Sequence, residues 1–534
     1  MSHLLNVGEV VGVNAQLHPH RPAVKDLHRS LTYAQLEERA NRLANAFAGL
    51  GLGKGDRVAI YAYNCVEWME IYAACAKSGV VAVPVNFRLT APEVRYIVED
   101  CGAAVLLVGA DLVEVVASLR ADLPLRPAAY VQIGGQRLHA GFRDYEDLLS
   151  FGSPRRPRTK VRPEDTWTIM YTSGTTGKPK GAIRSHRSYA LFYLLNAVEF
   201  GFGREDVGLA VMPLCHVNSV FYGFVFTYLG ASMCVYDRRS FDPEHLLRVL
   251  AEERITFTSL VPTHYTMLLD QPASVRNALD LRHVSKLLIS SAPARRETKL
   301  ATMECFPSSR LFEAYGSTEA GLVTLLRPEQ QFEKLGSIGR EIVGTGRIRL
   351  VDAEGMEVRD GEVGELFSLT PTAFDGYWNN PKATEAAFLD GHCSAGDLAR
   401  RDADGFYTLV DRKSNMIITG GEKVYPSEVE QVLAAHPDVG EVAVIGVPDA
   451  KWGEAVMAAV VPRPGASPTV SALVEFARNQ LAGYKCPRQV TFLRSEDMPR
   501  TPTGKLLHRV LRDRLAAEGA ARRDAGAAPV GRRA

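Results

Sequence analysis

The chain has 534 residues, several times the ~150 typical of one domain, so at least two folded units are expected. Apolar residues make up 46% and charged residues 23%, a globular balance that excludes a disordered or fibrous chain. With 62 Lys+Arg against 61 Asp+Glu, the net charge of +1 argues against a protein that holds a nucleic-acid backbone or an anionic membrane by bulk charge.

In chain order, Leu36, Ala40, Leu43, Ala44 and Phe47 fall at helical spacing and are followed by an apolar strand, Val58–Tyr61. The alternation repeats as a helix over 66–78, a strand over 80–85, a helix over 92–100 and a strand over 104–108. Strands at 167–171, 257–261 and 287–290 continue it, and such alternation predicts parallel sheets covered by helices on both faces. The uncharged run Val217–Tyr236 is long enough to suggest a membrane span. Its Asn218, Ser219, Tyr222, Thr227 and Ser232, and its lack of a basic flank, favour a buried helix running into a buried strand.

From Gly336 to Thr370 short strands at 342–343, 348–351 and 363–367 are separated by Gly and Asp, which predicts a β-rich subdomain or small barrel. Beyond Asp411–Ser414 the pattern is mixed again, with strands at 416–419, 442–447 and 456–461 and helices at 426–435 and 470–481. The expected organisation is therefore an N-terminal core over 1–411, with its β-rich part at about 336–411, and a C-terminal α+β domain over 412–515. The Ala/Gly/Arg-rich stretch 516–534 is expected to be a disordered tail. The eight cysteines are scattered without a C-x-x-C pair, and Met1–Leu5 lacks a basic, then apolar, secretory pattern. Free thiols in a reducing cytoplasm are expected.

The segment Tyr171-Thr172-Ser173-Gly174-Thr175-Thr176-Gly177-Lys178-Pro179-Lys180-Gly181 follows a predicted strand and concentrates glycines, hydroxyls and lysines. Glycines let backbone N–H groups converge on an anion, while hydroxyls and lysines add donors and charge, so the loop suits polyphosphate. It is not a Walker A loop, because only two residues separate Gly174 from Gly177 and Pro179 follows Lys178 where a Ser or Thr would stand.

This loop resembles the phosphate loop of the adenylate-forming superfamily, which includes acyl-CoA synthetases, adenylation domains of peptide synthetases and luciferases. The chain is most similar to the bacterial acyl-CoA synthetases. Further segments match that family in order over about residues 20–512: 212–216, 315–319, 364–366, 376–378, 396–398, 411–413, 420–426 and 502–505. The fold implied is a large N-terminal α/β domain of two parallel-type sheets plus a β-rich subdomain, and a small mobile α+β C-terminal domain. The activity implied is activation of a hydrophobic carboxylic acid with ATP to acyl-AMP, then transfer to coenzyme A, with Mg²⁺ as cofactor. Rotation of the C-terminal domain about Ser414 would exchange the two steps.

By the same resemblance, Lys505, Glu319 and His216 are the catalytic candidates, and Glu319 and Thr175 the metal ligands. Nucleotide contacts fall on Thr172, Ser173, Gly174, Thr175, Thr176, Gly177, Lys180, Ser291, Ala292, Tyr315, Gly316, Thr318, Asp397 and Arg412. The acyl pocket takes Asn218, Phe221, Tyr222, Ser317 and Leu322, and coenzyme A takes Gly420, Gly421, Trp452, Lys485 and Arg488. Taken singly, Glu319, Asp397 and Arg412 would pass for turn or surface residues, and His216 and Tyr315 for core ones. No acidic residue lies in Val217–Val220, which disfavours an amino-acid substrate.

Three positions depart from the family pattern: Ser414 at the hinge, Ala395 before Gly396, and Ser290-Ser291 where two glycines are common. They leave open an enzyme specialised for one half-reaction, or one that loads a carrier protein. A homodimer is allowed; nucleic acid and a transmembrane segment are not expected.

Overall fold

The computed structural model describes residues 6–172, 178–290, 294–449, 451–500 and 506–524, with side chains to 518. Continuous apolar runs such as Val81–Val85 and Ala103–Gly109 form strands buried on both faces, as a parallel sheet under helices requires. Their sheet has eight strands in the spatial order 376–377, 180–185, 166–172, 81–85, 57–61, 103–109, 130–133 and 143–144. A second sheet has nine, in the order 340–341, 321–326, 310–317, 286–289, 257–260, 207–210, 232–235, 22–25 and 30–32. The large aromatic cluster around Trp68, Trp167, Tyr189, Phe221 and Phe257 is fully buried among these elements.

The stretch 217–236 is a helix, Val217–Leu229, and a strand, Ser232–Val235, paired with its neighbours on both sides. Among the described residues no helix is long and apolar enough to cross a membrane.

Two compact units form: Met1–Ile348 with Phe367–Ala395, and Arg349–Leu366 with Gly396–Ala534. The β-rich stretch is thus divided. Strands 349–351, 364–367, 397–401 and 407–412 make one open four-stranded sheet rather than a barrel. The expected strand at 342–343 forms two residues earlier, at Arg340–Glu341, where it pairs with Thr324 and Leu325.

In the second unit the long hairpin Val439–Asp449/Gly453–Pro462 alternates its side chains between two apolar layers. Val444, Val456, Ala458 and Val460 share one layer with Val429, Leu433 and Leu473 of the helices Pro426–Ala434 and Val470–Arg478. Ala443, Ile445, Val447 and Ala455 form the other layer with Leu511 and Leu515.

Those two leucines lie one helical turn apart on His508–Asp524, so the chain is helical to Asp524, past Ala516 where a disordered tail was expected. Alanine and arginine are strong helix formers, and the packed leucines anchor the element. Residues 525–534 of that expected tail lie outside the described residues. Leu511→Ala should remove a fully buried side chain and destabilise this unit by about 2–4 kcal/mol. Urea unfolding followed by circular dichroism checks this; an unchanged midpoint would mean that the helix does not cover the sheet.

Candidate active site

The hairpin Thr166–Thr172/Lys180–Ser185 forms the stem of the glycine-rich loop, with Thr172 in register with Lys180. The loop residues themselves, Ser173, Gly174, Thr175, Thr176 and Gly177, lie outside the described residues, as do Ser291, Ala292 and Lys505. Beside the stem, Gly376–Tyr377 adds an antiparallel edge strand that places Tyr377 opposite Ala182.

The strand Arg310–Ser317 turns into Gly321–Leu326 through Thr318-Glu319-Ala320. Gly316 is required here, because a Cβ would sit 2.2 Å from the Gly321 carbonyl oxygen. Ala320 donates its N–H to Ser317 Oγ (2.9 Å), which tightens the turn. Tyr315 and Leu322 are buried on the two strands, with Leu322 opposite Gly316.

Glu319 is buried, yet no ion pair neutralises it among the described residues. Its Oε1 accepts from the Tyr377 hydroxyl (2.8 Å) and from Thr172 Oγ1 (3.4 Å). Lys180 Nζ stands 4.3 Å from the centre of the Tyr377 ring. The carboxylate, two hydroxyls and a lysine thus gather where the two sheets meet. A carboxylate held out of water by neutral donors alone favours a nearby cation, and hard oxygen ligands suit Mg²⁺ that arrives with a polyphosphate.

Arg184, which the sequence reading passed over, is fully buried on the same hairpin. It donates to the carbonyl oxygens of Thr318 (2.6 Å) and Thr372 (2.5 Å), and its guanidinium carbon stands 4.9 Å from the Phe221 ring centre. Burial lowers its pKa from the usual guanidinium value. The signal was present in Ala182-Ile183-Arg184-Ser185: a lone cation inside an otherwise apolar strand has to be held by something. Tyr377 was visible only as part of a motif, without a role.

His216 precedes the helix Val217–Leu229 and leaves its Nε2 buried without a partner among the described residues. Burial, with Arg88 nearby, lowers its pKa to about 4, so the ring is neutral at pH 7. On that helix Phe221 stacks on Phe192 (3.7 Å between ring centres), and Tyr222 packs against Phe257. Asn218 donates to Ser259 Oγ (3.3 Å) and Ser290 Oγ (3.1 Å).

The remaining described candidates belong to the second unit. Asp397 and Arg412 face each other across neighbouring strands, Oδ1 to Nε 3.1 Å. Gly420 has φ +60°, and a Cβ there would meet the Trp452 ring at 2.7 Å; its N–H donates to the Trp452 carbonyl. Gly421 follows, also with positive φ. Arg488 lies over the Trp452 ring at 4.3 Å. Lys485 is held by both Glu428 oxygens (2.7 and 2.8 Å), so its charge is already matched. Ser414 is exposed in a turn, and Asp411 braces that turn by accepting from Asn415 Nδ2 and the Ser427 N–H.

Residues 12–378 match the AMP-binding enzyme family, and residues 428–505 match the AMP-binding enzyme C-terminal domain. The chain belongs to this family. It is an adenylate-forming enzyme of the acid–thiol ligase class. A feruloyl-CoA synthase of Amycolatopsis sp is 36% identical over 504 residues, spanning 94% of this chain and 97% of that one. A fatty acid acyl-carrier-protein ligase, ScoC, of Streptomyces coeruleorubidus is 34% identical over 522 residues, spanning 95% and 96%. Among solved structures, the anthranilate CoA ligase AuaEII in complex with anthranoyl-AMP aligns with a TM-score of 0.85 at 27% identity, covering 96% of this chain and 98% of that one.

Arg184 touches the site through the Thr318 carbonyl, next to Glu319, and so acts as a positioning residue. Arg184→Met should lower the rate of pyrophosphate exchange about 10- to 100-fold with a smaller change in KM for ATP. Arg184→Lys, which retains a donor, should recover part of the rate. A wild-type rate in Arg184→Met would remove this role.

Proposed function

We propose that this AMP-binding enzyme is an acyl-CoA synthetase for a hydrophobic carboxylic acid. The observation that carries the reading is the buried Glu319 carboxylate, bonded only to hydroxyls, at the stem of the glycine-rich loop. A carboxylate is a poor acyl donor because its leaving group would be oxide. In the first step an oxygen of the acid bonds to the α-phosphorus of ATP, the bond to pyrophosphate breaks, and a mixed anhydride with AMP results. In the second step the thiolate sulfur of coenzyme A bonds to the acyl carbon and AMP departs with the bridging oxygen.

The chain's own groups divide this work between charge and position. Glu319, with Thr172 beside it and Thr175 in the loop, provides the oxygen ligands for Mg²⁺, which supplies charge neutralisation on the phosphates. Lys180 and the loop amides offset further negative charge, and Thr318 lies next to Glu319 to contact the α-phosphate. Tyr315 packs on adenine, with Ser291, Ala292 and Gly316 around the nucleotide. Asp397, paired with Arg412 on the neighbouring strand, accepts from the ribose hydroxyls. Lys505 bridges the acid's carboxylate and the phosphate in the first step.

Neutral His216 bounds the acid's end of the site without adding charge. Phe221, Tyr222 and Leu322 supply its apolar walls, with Asn218 and Ser317 as polar neighbours. For the second step, turning about Ser414 in the 412–415 turn withdraws Lys505 and brings Gly420 and Gly421 to line a narrow thiol channel. There a side chain on Gly420 would collide with Trp452. Arg488, rather than Lys485, is the cation available for the nucleotide phosphates of coenzyme A, since Glu428 already pairs with Lys485. A carrier-protein thiol is the second reading, favoured by the likeness to ScoC.

A pyrophosphate-release screen over a panel of carboxylic acids, with coenzyme A or a carrier protein as acceptor, tests both readings. Acyl-CoA formation supports the first; release of pyrophosphate with acyl transfer only to the carrier supports the second. Lys505→Ala should slow adenylation by orders of magnitude while largely sparing thioester formation from supplied acyl-adenylate. Equal loss in both steps would contradict the role given to Lys505.

A further inference from the structure

Asn218, on the first turn of the helix Val217–Leu229, reaches two serines on neighbouring strands of the nine-stranded sheet. Ser259 lies on Phe257–Leu260, and Ser290 follows Lys286–Ile289. The Asn218 amide nitrogen donates to Ser259 Oγ (3.3 Å) and Ser290 Oγ (3.1 Å), and the two serine oxygens are 3.1 Å apart. Ser290 is one of the positions that departs from the glycines common in the family, and here its hydroxyl completes a polar triad.

A side-chain amide offers two donor hydrogens at one end and two acceptor lone pairs at the other. The serines satisfy one end only, and the amide oxygen has no partner among the described residues. Asn218 and Ser259 line a cavity of about 10 Å³ together with Met212, Ser219, Tyr222 and Gly223. That is room for a single water-sized group. Ser219 Oγ is already committed to the Met212 carbonyl (2.6 Å), whereas the Tyr222 hydroxyl makes no hydrogen bond among the described residues.

Asn218 and Tyr222 lie one turn apart on the same helix, so a recess that both residues line has beside it one unfilled acceptor and one unfilled hydroxyl. No charged side chain lines it. A second carboxylate or an ammonium would be left without a counter-charge there, so the matching group is neutral.

We propose that Asn218, Ser259 and Tyr222, with Ser290 holding the Asn218 amide from behind, form a specificity recess that selects an acid whose apolar body bears a hydroxyl over the same acid without it. This deepens the acyl-CoA synthetase reading and rests on it. A hydroxyl can donate to the Asn218 oxygen and accept from Tyr222, filling both vacancies at once. An acid lacking it excludes water from the recess and leaves both groups unpaired, which is where strong discrimination by a hydrogen-bonding site originates. Asn218, Ser259 and Ser290 are specificity residues and take no part in bond making.

The test is pyrophosphate release with matched pairs of acids: 4-hydroxycinnamate and cinnamate, 4-hydroxyphenylacetate and phenylacetate, and 10-hydroxydecanoate and decanoate. The wild-type enzyme should favour the hydroxylated member of at least one pair by about 100-fold in kcat/KM. Asn218→Leu and the milder Ser290→Ala should reduce that preference to a few-fold. In Asn218→Leu the change should come mainly from better use of the unsubstituted acid, with KM for ATP unchanged. Tyr222→Phe should lower kcat/KM for the hydroxylated acid alone.

Equal or better use of the unsubstituted member in every pair would overturn the proposal, even if Asn218→Leu fails to fold. Undiminished preference in folded Asn218→Leu and Ser290→Ala would also overturn it, leaving the triad a purely structural link between helix and sheet. Activity on acids without hydroxyl preference leaves the synthetase reading standing. Absence of pyrophosphate release with any of the acids would overturn that reading and this inference together.

Discussion

A carboxylate taken out of water has to be compensated, and the first unit is organised around how Glu319 meets that requirement. The residue sits at the turn between two strands of the nine-stranded sheet, while its hydroxyl donors, Thr172 and Tyr377, come from the eight-stranded sheet. Arg184 crosses the same boundary to the Thr318 carbonyl, and the Phe374 N–H bonds to the Glu319 carbonyl. Removing one partner from a buried polar cluster costs more than the bond itself, because the other partner is left unpaired. The junction of the two sheets is thereby tied by polar bonds from both sides.

Much of this fold could be read from the chain because strands buried on both faces are nearly continuous apolar runs with sharp ends. Glu67–Ser78, Val81–Val85, Ala91–Cys101 and Ala103–Gly109 fall within a residue of the segments read from periodicity. Short strands are harder. At 340–343 the ladder partner, rather than the apolar pair Ile342-Val343, decides where the strand lies. The helix His508–Asp524 escaped because, among its described side chains, Leu511 and Leu515 carry the packing, and alanine carries no apolar periodicity. The grouping of 349–366 with 396–534 is a property of tertiary contacts that no local pattern encodes.

The site shows the same division. Glycine, hydroxyl and lysine clustering made the anion loop visible, and the segments from 212–216 to 502–505 carried the family. Arg184 could be seen as a cation in need of a partner, but that partner, like those of the Asn218–Ser259–Ser290 triad, was not visible because it lies more than thirty residues away in sequence. A departure from a motif was the nearest clue to the triad: Ser290 stands where a glycine is common, and its hydroxyl bonds to Asn218 and Ser259. In the second unit the backbone itself calls for glycine: Gly420 and Gly421 both have positive φ, and a Cβ on Gly420 would meet the Trp452 ring.

If the acid's oxygen bonds to the α-phosphorus of ATP, the fate of that oxygen can be followed directly. An acid accepted by the enzyme is labelled with ¹⁸O in both carboxylate oxygens, turned over with ATP and coenzyme A, and the nucleotide is analysed by mass spectrometry. One ¹⁸O should appear in AMP for each thioester formed, with none in pyrophosphate. Label in inorganic phosphate alongside ADP, or unlabelled AMP, would contradict the account.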